Sequence, residues 1–267
     1  MNGYRLRPAE ALALRALQRR KGLKTLILEG PPGTGKTYFA ESLAKEQGSK
    51  YLYYLCHHWT GDEEMFIGVH VGRVAAGVDR PEDAYEYGVL AKAAIASRSG
   101  AVVVCLDELD KAPQRAESLL LDFLQHGRVV LPDGTEVLGN LPNITVVITT
   151  NNVRPLMEPT LRRGFRIEMG FLPPNVEADI IRKATGCKMG AIRATVRMAN
   201  FIRTNGATAP SLQEMRQLVE DLAVCESAAD VRILINGWLC KEPEDWDALT
   251  NGMGQTPESI LWGEFKR

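Results

Sequence analysis

The segment Gly30-Pro31-Pro32-Gly33-Thr34-Gly35-Lys36-Thr37 has the residue types and spacing needed to hold a chain of phosphates. Glycines let successive backbone N–H groups converge on phosphate oxygens with no Cβ in the way. Lys36 then supplies a cation for the β- and γ-phosphates, and the Thr37 hydroxyl a ligand for Mg2+. A short apolar run, Thr25 to Leu28, precedes the loop, and a helical pattern from Lys36 to about Glu46, closed by Gly48, follows it. A strand before and a helix after set the loop on a helix N-terminus, whose dipole favours anions. The chain has no guanine-reading Asn-Lys-x-Asp segment, so the expected ligand is Mg·ATP.

Two acids stand at the end of a second apolar run. Ala101 to Leu106 is unbroken by any polar residue and stops at Asp107-Glu108. Such a run reads as a strand buried on both faces of a parallel sheet. Its acids then emerge at the sheet's carboxyl edge, where open α/β folds bind ligands. Asp107 is expected to hold Mg2+ through its water shell, and Glu108 to orient and polarise the attacking water. A third run, Ile144 to Thr150, ends at Asn151 and is expected between the other two. A neutral amide there can bond the γ-phosphate or the water without repelling either. The plain alternative is an Asn in a strand-end turn.

The remaining elements follow from periodicity. Pro8 to Arg20 repeats Ala and Leu at helical spacing, Tyr51 to Leu55 is an aromatic-rich strand, and Ala84 to Ser97 and Gln114 to Gln125 read as helices. Asp133-Gly134 between two β-rich triplets predicts a hairpin within 127–139, and Phe165 to Met169 predicts a fifth strand. Trp59 to Pro81 has no clear period. Pro173-Pro174 marks a boundary, beyond which Ala178 to Ala184, Ile192 to Arg203, Ser211 to Val224 and Asp230 to Trp238 read as helices. The expected architecture is an α/β nucleotide-binding core, a parallel sheet flanked by helices, over residues 1–173, with an insertion at about 59–81. A small helical lid and C-terminal domain over 174–267 completes it.

In that order, the phosphate loop, the Asp-Glu strand, Thr150-Asn151 and the basic stretch Leu161-Arg162-Arg163-Gly164-Phe165 resemble the AAA+ family of ATPases. The hairpin at 127–139 and the insertion after the second strand resemble the MoxR group. Cys56-His57 with Thr60 and Gly68 is similar to the branch that includes CbbQ and NorQ, activators of metalloenzymes. The resemblance implies that Arg162 or Arg163 reaches the γ-phosphate held by a neighbouring subunit. The group often has an arginine where this chain has Gly164, which leaves open which of the two acts. A surface pair flanking a strand is the alternative. The resemblance also implies an arginine at the start of a lid helix. Gln213 stands there, and Arg216, one turn on, either substitutes or is a solvated helix residue. A homo-oligomeric ring, taken as a hexamer, and a protein client are implied, with a von Willebrand A domain adaptor as the partner such proteins commonly have.

Composition restricts the alternatives. The 267 residues are 45% hydrophobic and 24% charged with a net charge of −1, an ordinary globular balance that attracts neither nucleic acid nor an anionic membrane. Basic residues gather before Lys24 and acids between Glu242 and Asp247, reading as solvated helix faces or as opposite charges where subunits meet. Five irregularly spaced cysteines argue for a reducing compartment. With no signal-peptide pattern and no apolar run long enough to span a bilayer, a cytoplasmic protein is expected. Cys56, His57 and His58 lack a second ligand pair at zinc spacing, and Trp238, Trp246 and Trp262 read as packing residues. The functional expectation is an ATP-hydrolysing motor or chaperone that remodels a partner. Against it stand a nucleotide-dependent switch with little turnover and a DNA-associated ATPase such as a helicase loader or restriction motor.

Overall fold

Nine strands are found among the described residues: β1 (Lys24–Glu29), β2 (Lys50–Leu55), β3 (Ile67–Val69), β4 (Tyr85–Tyr87), β5 (Val102–Asp107), β6 (Arg128–Val130), β7 (Glu136–Leu138), β8 (Ile144–Thr150) and β9 (Phe165–Glu168). The structure, a computed structural model, describes residues 4–77, 81–252 and 256–267. The chain divides into two compact units, one of residues 1–30 and 35–169, the other of residues 31–34 and 170–267.

Five strands of the first unit form one parallel sheet in the order β2-β5-β8-β1-β9. Every residue of β5 and β8 is buried, as apolar runs in the middle of a parallel sheet require. The pleat sends alternate side chains to opposite faces. Val102, Val104, Leu106, Ile144, Val146 and Ile148 meet the helices α5 (Val89–Ser97) and α6 (Gln114–His126). Val103, Cys105 and Val147 meet α1 (Pro8–Gln18) and α2 (Lys36–Gln47) on the other face. A slip of one residue would exchange the two sets, so register is fixed by burial on both sides.

The sheet's carboxyl edge is level. Glu29 stands in register with Thr150 and with Glu168, and Leu55 with Asp107.

The segment without a clear period holds short elements: α3 (Asp62–Met65), β3 and α4 (Val71–Ala76). The expected helix from Ala84 is corrected here. Tyr85–Tyr87 is a strand, antiparallel to β3, and α5 begins only at Val89 after the N-cap Gly88. Alternation at Tyr85-Glu86-Tyr87 carries the period of two, but three residues cannot reveal it without their partner strand. A second hairpin, β6 with β7, and the short helix α7 (Glu158–Leu161) complete the unit.

The second unit is helical: α8 (Pro174–Thr185), α9 (Met189–Asn205), α10 (Leu212–Asp221), α11 (Ala228–Trp238), α12 (Pro243–Gly252) and α13 (Pro257–Lys266). Its core gathers Ile181, Ile192, Met198, Ile202, Met215, Leu218, Val231, Ile235, Leu249 and Leu261. Trp238, Trp246 and Trp262 pack against that core. All five cysteines are free, and no helix among the described residues is long and apolar enough to cross a membrane.

Candidate functional site

The phosphate-loop motif leaves β1 at Gly30, whose φ of 150° lies outside the range most residues adopt. A Cβ there would meet the Met169 carbonyl oxygen at 2.2 Å, so only glycine fits. Gly35, in the left-handed region with φ 91°, is the N-cap from which α2 starts. Pro31, Pro32 and Gly33 are exposed, and the Thr34 hydroxyl donates to the Pro31 carbonyl at 2.9 Å. Lys36 is buried, with Nζ donating to the Gly30 carbonyl at 2.7 Å. Burial holds its pKa below the usual lysine value, opposed by the carboxylates of Asp107, Asp110 and Glu108.

Asp107 ends β5 and is almost saturated by hydroxyls. Its Oδ1 accepts from Thr37 at 2.8 Å and from Thr149 at 2.6 Å, and its Oδ2 from Tyr53 at 3.1 Å. Partial burial and the Asp107 charge push the Tyr53 phenol up to about 12, so it remains a donor. Glu108 follows in the left-handed region with φ 55°, a conformation rare for a residue with a side chain. Its N–H donates to Thr149 Oγ1 at 2.8 Å, fastening this turn to β8. Its carboxylate holds two donors: Asn151 Nδ2 on Oε1 at 2.7 Å and Lys111 Nζ on Oε2 at 2.6 Å.

Thr37, Asp107, Glu108 and Asn151 are therefore joined through Thr149 into one hydrogen-bonded group on the sheet's carboxyl edge, with Lys36 next to Thr37 in the chain. The left-handed Gly35, the start of α2, the buried ammonium and the paired Thr37 hydroxyl and Asp107 carboxylate fit a triphosphate with a hard divalent cation.

The expected arginines hold partners near them in the chain. Arg162 and Arg163 lie on the turn between α7 and β9, and among the described residues neither forms a hydrogen bond or ion pair with Thr37, Asp107, Glu108 or Asn151. Arg162 is 75% exposed and pairs with Glu158, itself 73% exposed. Arg163 donates to the Pro159 carbonyl and to Gln125 Oε1, each at 2.9 Å. Gly164 is the departure from the MoxR pattern, and packing accounts for it: a Cβ there would lie 2.6 Å from Ile27 Cδ1 and Cγ1. Arg216 belongs to the second unit, on α10, with Nε donating to Glu220 Oε1 at 3.0 Å.

Four contributors escaped sequence reasoning: Tyr53, Thr149, Asp110 and Lys111. Asp110 and Lys111 follow Glu108 within one turn, and that spacing was a usable signal. Tyr53 carries none, because its approach to Asp107 depends on the pairing of β2 with β5.

Residues 25–165 match the AAA domain, dynein-related subfamily, which is more than half of the chain. Protein CbbQ of Hydrogenophilus thermoluteolus is 27% identical over 180 residues, 65% of this chain and 63% of its own. Protein NorQ of Paracoccus denitrificans is 28% identical over 185 residues, 67% of this chain and 64% of its own. A Methanocaldococcus jannaschii protein named as a homolog of a 26S proteasome regulatory subunit is 25% identical over 194 residues, 72% of this chain and 47% of its own. The chain thus spans from about half to under two thirds of the length of these relatives.

Proposed function

This chain belongs to the AAA domain family, in its dynein-related subfamily and of the MoxR type, and on that footing we propose that it hydrolyses Mg·ATP to remodel or activate a partner protein. The observation that carries the reading is the connected group at the sheet edge: Thr37 bonded to Asp107 at 2.8 Å and Asn151 to Glu108 at 2.7 Å. In this reading the segment Gly30 to Gly35 wraps the phosphates, its N–H donors being those of Gly33, Thr34 and Gly35, and Lys36 turns from the Gly30 carbonyl to the β- and γ-oxygens. Thr37 and Asp107 are the groups that would hold Mg2+, whose charge neutralises that developing on the phosphates. Glu108 takes a proton from water as the water oxygen attacks the γ-phosphorus and the bond to the bridging oxygen breaks. Asn151 fixes the direction of that carboxylate.

Of the two arginines, Arg162 is the better finger for a neighbouring copy. Its pair with Glu158 is exposed at both ends, and such pairs contribute only about 0–1 kcal/mol. Arg163 gives its donors to a carbonyl and an amide of its own subunit. Arg216 remains the candidate second sensor, a role that requires it to leave Glu220. The partner is a protein client, with a von Willebrand A domain adaptor as the expected intermediary, and the working form is a homo-oligomeric ring.

A second reading, a nucleotide-dependent switch with little turnover, is favoured by one feature: both Glu108 oxygens are already engaged, by Asn151 and Lys111. Calorimetry tests the shared premise. Lys36→Ala removes a charge-assisted contact worth about 1.5–3 kcal/mol, so Mg·ATP should bind tenfold or more weakly. Wild-type affinity in that variant would remove the phosphate-loop assignment, and with it both readings.

A further inference from the structure

Asp110 is a carboxylate that the reaction as described leaves unused, and it is only 3% exposed. It sits on the 3-10 turn Leu109–Lys111, directly after Glu108. Its Oδ2 accepts the backbone N–H groups of Asn151 at 3.2 Å and Val153 at 2.9 Å. Its Oδ1 has no hydrogen-bond partner, and no lysine or arginine among the described residues forms an ion pair with it. A carboxylate removed from water is costly unless its contacts compensate, and here its hydrogen bonds come from two main-chain amides, with the charges of Lys36 and Lys111 acting on it without direct contact. Those amides flank Asn152, whose φ of 60° is again left-handed. The turn after β8 is thus kept in an uncommon conformation by the buried Asp110 acceptor on either side of Asn152, whose own N–H donates to Thr150 Oγ1 at 3.0 Å.

Asn151 links the two acids. Its main-chain N–H is held by Asp110 and its side-chain amide holds Glu108. A circuit closes: Glu108 to Asp110 through the chain, Asp110 to the Asn151 backbone, and the Asn151 amide back to the Glu108 carboxylate. We propose that Asp110 is a positioning residue, fixing the turn at 151–153 so that the Asn151 amide meets Glu108 and aims it at water. The proposal rests on the reading of Glu108 as the base. Misplacement of such a group by about 1 Å can lower a rate by about a hundredfold with the substrate still bound.

The test uses the full chain under its assembly conditions. Asp110→Ala should lower kcat by at least about tenfold while KM for ATP stays within about threefold. Asp110→Asn, which keeps an oxygen able to accept, should recover most of that loss. The double variant Asp110→Ala with Asn151→Ala should turn over no more slowly than Asn151→Ala alone, because both act through one amide. Should Asp110→Ala melt below the assay temperature, Asp110→Ser, too short to reach both amides, replaces it with the same expectation. Wild-type kcat in these variants, or losses that multiply in the double variant, would overturn the proposal. Amide hydrogen exchange reads it without turnover. Asn151 and Val153 should be protected in wild type and exchange at least about tenfold faster in Asp110→Ser, with Val147 and Ile148 unchanged. Unprotected wild-type amides at those two positions would also overturn it. A wild-type chain that never turns over would instead count against the hydrolase reading.

Discussion

Glu108 occupies a backbone conformation that its own side chain disfavours, and the surrounding hydrogen-bond partners explain why it stays there. The Thr149 hydroxyl takes its N–H, and Asn151 and Lys111 take its two oxygens. Thr149 in turn donates to Asp107, so Asp107 and Glu108 share one hydroxyl. Lys111 is the contact that this arrangement can lose most cheaply. It is 47% exposed, and its charge is favoured by Glu108. An exposed pair of this sort contributes at most about 1 kcal/mol. Lys111→Met should therefore free one oxygen of the base and raise unstimulated turnover by up to about fivefold, at unchanged ATP affinity. Steady-state hydrolysis with and without client checks this, and a fall in turnover would show that the lysine supports the base instead. Much of this residue-scale picture was legible in the sequence. The phosphate loop, Asp107, Glu108 and Asn151 sit in local patterns whose types and spacing survive being read along a line. Tyr53 and the two amides on Asp110 were not, because those contacts depend on strand pairing and on main-chain atoms that every residue has.

At the scale of elements, burial decides what could be read. β5 and β8 are covered on both faces, so β5 shows as an apolar run up to Asp107 and β8 as a run of isoleucine, valine and threonine. β3 and β4 are three residues each, and they exist only through each other. Their period is shorter than any window that could reveal it, and Ala84 to Ser97 consequently read as one helix. In the second unit the helices from α8 to α11 carried a visible apolar face, whereas α12 and α13 did not stand out. A buried ion pair ties that unit together: Arg203 Nη1 donates to both oxygens of Glu177 at 3.0 Å, with side-chain exposures of 6% and 2%. The Arg203 guanidinium also stacks 3.8 Å from the Phe171 ring centroid, and its Nε donates to the Pro210 carbonyl. Arg203→Ala would leave a carboxylate buried without a partner, and such losses cost about 3–5 kcal/mol. Urea unfolding should show that drop. A change below about 1 kcal/mol would mean that water reaches Glu177 and the pair is dispensable.

For the whole molecule, the proposed chemistry is unfinished within one copy. Arg162 points to no partner in its own site, so a neighbouring copy must supply or receive it if it acts at all. Specific activity should then rise with protein concentration, and nucleotide should promote assembly because it binds between copies. Arg162→Ala should keep ATP affinity and lose on the order of 10³-fold in turnover. Arg163→Ala should lose far less. Mixing Arg162→Ala with Lys36→Ala should restore part of the rate, since some interfaces would pair an intact loop with an intact arginine. Activity per subunit that stays flat over a thousandfold dilution, with a monomer seen by light scattering in ATP, would contradict a shared site.

Hydrolysis by Glu108 of ATP held by Lys36, Thr37 and Asp107 is tested by one paired measurement. Mg·ATP binding and phosphate release are followed side by side in wild type and Glu108→Gln. The amide keeps the size of Glu108 and one of its two acceptor oxygens but cannot take a proton, so affinity should be unchanged within about threefold while turnover falls by at least about a hundredfold. Equal turnover in the two proteins, or a wild type that binds ATP and releases no phosphate under any assembly condition, would contradict it.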